Sequence, residues 1–172
     1  TVTRRDAYNN LVTSGSETVN LASNSTGNEK FVVSTFGAGL IGSVEDMVVS
    51  GSYAYVTDGG FGLRVVNVSN VAAPTLTGSL DTPYFATVVL LSGNYVYEAD
   101  LGDLQIINVS NPAIPSFVGV YNPGDWVYTA FVSGAYAYVG VDNVGLQVVD
   151  ISNPASPSLR GTFNTGSARF RG

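Results

Sequence analysis

From residue 44 onward the chain is a succession of apolar runs of four to six residues, broken by glycine, serine, asparagine and aspartate. Short runs rich in valine, isoleucine and tyrosine, with no sustained 3.6-residue period, predict β-strands and essentially no helix. The first group of strands falls at residues 46–49, 53–57, 63–68 and 75–80. Ser50, Gly51 and Ser52 form the first turn and residues 58–62, with three glycines, the second. Glycine tolerates the positive φ that such turns demand. The crossing at 69–74 ends on Pro74, a strand entrance where a missing N–H does least harm.

The same pattern then repeats. LRVVNVSN at 63–70 returns as LQIINVSN at 104–111 and LQVVDISN at 146–153, so the leading leucines are 41 and 42 residues apart. Ser50-Gly51, Ser92-Gly93 and Ser133-Gly134 precede the tyrosine pairs Tyr53/Tyr55, Tyr95/Tyr97 and Tyr136/Tyr138. Pro74, Pro115 and Pro157 follow, and then Gly78, Gly119 and Gly161. A repeat of this length made of short strands is a propeller blade or a related array. The third strand is almost continuously apolar. That suits a sheet packed on both faces, as a blade is, better than a sandwich strand with one wet face.

In these residues the chain resembles the LVIVD repeats, a family of propeller-forming repeats of bacterial and archaeal surface proteins. The matching text is residues 62–70, 104–112 and 145–154, and the resemblance covers about 120 of 172 residues. The first copy departs from it, with Val71 where the others have Pro112 and Pro154. The resemblance implies an all-β, propeller-type array of four-stranded blades and an extracellular setting, and it assigns no reaction. The blades are expected at 44–85, 86–127 and 128–167, flanked by an N-terminal β segment, 1–43, and a closing strand, 168–172.

Residues 1–43 admit two readings. Residues 1–13 and 17–22 are similar to part of a bacterial Ig-like surface domain. Alternatively the segment is a degenerate fourth blade: 19–24 stand for a third strand, 30–35 for a fourth, and 168–171, from the other end, supply the first. The chain opens in strand-like text, as a mature or excised piece of a longer precursor would.

Composition narrows the chemistry. There is no cysteine and no histidine, so thiolate chemistry, an ordinary catalytic triad and the commonest metal ligand are unavailable. Only 12% of residues are charged and the net charge is −6, which disfavours a nucleic-acid partner. No apolar run approaches the 18 residues of a membrane-spanning helix.

The candidate site residues lie in turns at one end of the strands. Asp58, Asp100 and Asp142 recur at 42-residue intervals between second and third strands. The connections between blades add Asp81, Asp125, Tyr84, Phe85 and Trp126. Converging carboxylates could hold Ca²⁺, which takes oxygen ligands, and the aromatics could stack on a sugar or a peptide. Against this, aspartate is a good turn residue in its own right. A glycosidase pair needs one acid in a distinct environment, and these acids repeat with the fold. The glycines at 59–62 join strand to strand and open no helix, which leaves phosphate binding without support. The tyrosine pairs face one side of their strands and are expected to fill the space between blades. Asn67, Asn108 and Asp150 are expected to accept hydrogen bonds from the following turn. Asn24, Asn67 and Asn108 match the glycosylation pattern, and Asn24, in a polar loop, is the favoured acceptor.

Two functions follow as expectations. The first is a non-enzymatic, extracellular structural protein, a self-assembling subunit of a surface filament, layer or matrix. The second is a binding or adhesion module whose loop face takes a glycan, a peptide or Ca²⁺. Exposure of Trp126, Tyr84 and Phe85 together on one face would favour the second.

Overall fold

A computed structural model of the protein describes residues 42–164 together with the two short paired strands β1 (Arg4–Arg5) and β2 (Leu11–Val12). The expected closing elements at 19–24, 30–35 and 168–171, and Asn24, lie outside the described residues. Among the described residues every element is a strand, as the absence of a helical period requires.

Three antiparallel sheets of four strands follow one another along the chain. The first holds β3 (Asp46–Ser50), β4 (Tyr53–Thr57), β5 (Leu63–Asn67) and β6 (Thr75–Leu80). The second holds β7 (Val88–Ser92), β8 (Tyr95–Ala99), β9 (Leu104–Asn108) and β10 (Ser116–Tyr121). The third holds β11 (Val127–Ser133), β12 (Tyr136–Val141), β13 (Gly145–Asp150) and β14 (Ser158–Phe163). Strand order within each sheet equals chain order, the up-and-down meander of a propeller blade. The innermost strands β3, β7 and β11 lie beside one another, and the three sheets do not close into a ring.

Local chemistry sets each turn. Gly51, Gly93 and Gly134 close the first hairpins at φ near +57° or +58°, where a Cβ would be strained. At the outer crossing the Oδ1 atoms of Asn67, Asn108 and Asp150 accept the N–H of Ser69, Ser110 and Ser152 at 2.8–2.9 Å. Asparagine and aspartate are interchangeable there because an acceptor oxygen is all the turn uses. The expected third strand at 63–68 stops at Asn67, because the N–H of Val68 leaves the ladder for Ser52 O at 2.8 Å.

Packing repeats with the same period. Each blade has a leading face toward the next blade and a trailing face toward the previous one. Tyr55, Leu63 and Val65 on the first leading face pack with Val89, Val96 and Ile107 on the second trailing face. Tyr97, Leu104 and Ile106 pack in turn with Ala137, Val139 and Val149 of the third blade. Farther out, Gly78 meets the Pro112 carbonyl of the next blade's crossing turn, and Gly119 meets that of Pro154. A Cβ at either glycine would overlap the carbonyl oxygen.

The third blade breaks this series. Its leading face carries Phe131, Tyr136, Tyr138, Leu146, Val148 and Phe163, the register equivalents of Val48, Tyr53, Tyr55, Leu63, Val65 and Leu80. No described sheet covers that face. Phe131 is 63% exposed and Phe163 68%, and a Cβ built on Gly161 would touch nothing within 4 Å. The third tyrosine pair therefore corrects the expectation that all of them fill interblade space. Tyr55 and Tyr97 do, whereas Tyr136 is exposed and Tyr138 half-buried, because no described sheet stands in front of them.

Candidate functional site

The strand order places the turns after β4, β8 and β12, and both connections between blades, at one end of the sheets. All of the candidate aspartates and aromatics lie on this loop end. Short bridges tie it together: Gly59 pairs with Ala86, and Leu101 with Val127.

The structure does not gather Asp58, Asp100 and Asp142. Each is buried within its own turn. Asp58 accepts the N–H of Gly42 through Oδ1 at 2.6 Å, and its Oδ2 lies 3.3 Å from Arg64 Nε, an ion pair without hydrogen-bond alignment. Burial pushes its carboxyl above the ordinary range, opposed by Gly42 and Arg64. Asp100 accepts from Asp103 N at 2.9 Å and from Gln105 Nε2 at 3.3 Å. Burial raises it to about 6. Asp142 accepts from Asn143 N at 3.1 Å, and its own N–H donates to Trp126 O at 2.8 Å. Among the described residues no three acids form a group that could hold a metal ion. Asp100 and Asp142 thus accept N–H groups of their own turns, while Asp58 accepts one from outside its turn.

The first two blades carry two buried polar groups that the repeat does not require, one on the trailing face of each. Arg64 stands where the other copies have Gln105 and Gln147, and Glu98 where they have Val56 and Val139. Buried Arg64 bridges buried Asp58 and exposed Asp81, the latter through Nη1 to Oδ1 at 3.0 Å. Glu98 is fully buried; Oε1 accepts from Thr82 Oγ1 at 2.6 Å, and Oε2 has no partner. Burial raises its carboxyl to about 7. The sequence reading passed over both residues. The signal for them was there: an acid inside an otherwise apolar second strand, and a cation at a glutamine position.

The aromatics are exposed, as a contact surface would have them. Tyr84 is 53% exposed, Phe85 40% and Trp126 56%. Two are held against glycines. Ring carbons of Phe85 stand 3.0 Å from where a Cβ of Gly59 would lie, and those of Tyr84 3.0 Å from that of Gly102. Phe85 and Trp126 are repeat equivalents, each preceding the bridge residue Ala86 or Val127. Trp126 meets Tyr128 edge-on at 6.4 Å. Beside it, Asp125 accepts from Trp126 N at 2.8 Å and from Asn143 Nδ2 at 3.1 Å. These bonds, that from Asn143 foremost, hold the Asp125 carboxyl below its ordinary range.

The family profile of the LVIVD repeat matches residues 41–82, 86–123 and 124–165. No curated protein matches the chain.

Proposed function

The chain belongs to the LVIVD-repeat family, and from that premise we propose that it is a non-enzymatic structural module of the cell exterior that associates sheet on sheet with a second copy. The observation that carries this reading is the leading face of the third blade, which no described sheet covers. Its positions are the ones the first two blades use to bind their neighbours, and they hold the same residue types. Burying a phenylalanine removes roughly 150–250 Å² from water. At roughly 25 cal/mol per Å², Phe131 and Phe163 together contribute several kcal/mol to association. The charges nearest the face are self-compensating, since Arg160 binds Asp150 through two nitrogens at 3.0 and 2.7 Å. Two copies can therefore meet there without like-charge repulsion. Gly161 leaves a notch where Gly78 and Gly119 receive a turn carbonyl.

Sedimentation velocity over roughly a hundredfold range of concentration tests the reading, because association is governed by mass action. The wild-type protein is expected to self-associate and the Phe131→Ser variant to stay monomeric with its fold intact. A monomeric wild type at every concentration would end this reading. A second reading, a binding module, is favoured by the joint exposure of Tyr84, Phe85 and Trp126 on the loop end.

A further inference from the structure

On the loop end we propose a carbohydrate-binding site centred on Trp126, with the Asp125–Asn143 pair as its hydrogen-bonding partner. The ligand class is a neutral polysaccharide or oligosaccharide of pyranose sugars. The site is independent of the open blade face.

Three features converge on this ligand. First, the rings are exposed yet held in place. Trp126 is tied through its own backbone, its N–H to Asp125 and its carbonyl to Asp142 N, and its ring rests against the edge of Tyr128. Little ordering entropy remains to be lost when a ligand arrives, which favours binding by preorganisation. A sugar presents a flat array of C–H groups on one face of its ring, and an aromatic face covers that array. Phe85, the repeat equivalent of Trp126, supplies a second exposed ring one blade away.

Second, a planar carboxylate and a planar amide stand bonded to each other, the carboxylate in the residue before Trp126 and bonded to its N–H. Asp125 offers acceptor oxygens and Asn143 offers both a donor and an acceptor, which together match neighbouring hydroxyls. Asn143 holds this place in the left-handed region, at φ 54°. The other copies have Gly59 and Leu101 following the turn aspartate, so the amide is particular to the third turn.

Third, charge selects against other ligands. Among the described residues Asp81, Asp103 and Asp125 make the loop end acidic, and Arg64, the cation there, is buried and paired with Asp58 and Asp81. An anionic glycan or a phosphate group would meet repulsion there.

The sequence contains one tryptophan, so intrinsic tryptophan emission reads this site directly. Titration with soluble oligosaccharides of glucose, mannose and N-acetylglucosamine is expected to give a saturable emission shift for at least one of them. Affinity electrophoresis through the corresponding neutral polysaccharides should retard the wild type and not Trp126→Ala. Asn143→Gly keeps the backbone conformation and should weaken binding about tenfold, the worth of one lost hydrogen bond of about 1.4 kcal/mol. Phe131→Ser, on the open face, should bind as the wild type does. No shift and no retardation with any of these sugars would overturn the proposal, as would equal retardation of Trp126→Ala. A saturable shift with a lysine-rich peptide in place of the sugars would overturn it in favour of a protein ligand.

Discussion

The second and third blades say nearly the same thing in sequence and live in different surroundings. LQIINVSN and LQVVDISN are both almost continuously apolar over their first four residues. Yet β9 is buried at Leu104, Gln105, Ile106 and Ile107 alike, whereas β13 alternates: Gln147 and Val149 buried, Leu146 and Val148 half-exposed. The difference is one neighbouring sheet. Burial of a blade strand is thus a property of the stack and cannot be read from the strand itself.

Paired substitutions turn that comparison into measurements. The largest contrast is expected at the equivalent leucines. Leu104→Ala removes a fully buried side chain between two sheets and should cost about 2–5 kcal/mol, since the cavity cannot collapse. Leu146, half-buried, faces no described sheet, and Leu146→Ala should cost less than half as much in chemical denaturation of the monomer. Equal losses would mean that the third blade's leading face is covered after all.

The two joints also differ in titration. Glu98 lies on the trailing face of the second blade, and the corresponding position in the third is Val139. Its carboxyl is raised from 4.5 to about 7. The native state therefore binds the proton more tightly than the unfolded chain, and this contribution favours folding below pH 4.5. It is lost as pH rises through 7, with Asp100, raised to about 6, acting in the same sense. By linkage the Glu98 contribution amounts to about 3 kcal/mol. Melting temperatures across this range should fall for the wild type and fall markedly less for Glu98→Gln. A profile unchanged by the substitution would show that the carboxyl ionises freely in the fold.

The glycines give a sharper contrast of smaller size. Gly119→Val places a side chain against the Pro154 carbonyl and should destabilise the protein by about 2 kcal/mol. A Cβ at Gly161 would meet nothing within 4 Å, so Gly161→Val should leave monomer stability within about 0.5 kcal/mol of wild type. The same variant should weaken self-association if a second copy enters the notch, which sedimentation reads separately. The smallest contrast is expected where the surroundings are alike. Asn67→Ala removes the turn bonds from Ser69 N at 2.9 Å and Ser69 Oγ at 2.7 Å, Asn108→Ala the one from Ser110 N at 2.8 Å, and each should cost about 1 kcal/mol.

Much of the architecture was legible in the chain because it is locally encoded. Hairpin glycines, Asx turns and runs of Val, Ile and Tyr act within a few residues of themselves, so strand limits came out within a residue or so. The in-phase repeat then made three meandering sheets the economical solution. For Asp58, Asp100 and Asp142 the sequence supports turn formers and ligands alike. The choice depends on distances between blades, which no local pattern carries.

What the sequence determined by itself is the set of short-range preferences: β over helix, where each strand turns, and the repeat that makes one blade like the next. Tertiary structure decided the rest. It made Glu98 a buried acid, gave Arg64 its two aspartates, joined Asn143 to Asp125 next to Trp126, and left Phe131 and Phe163 without cover from any described sheet. The physical reason is that hydrogen bonds in turns close over two to four residues, whereas burial and ionisation depend on which sheet stands across the interface.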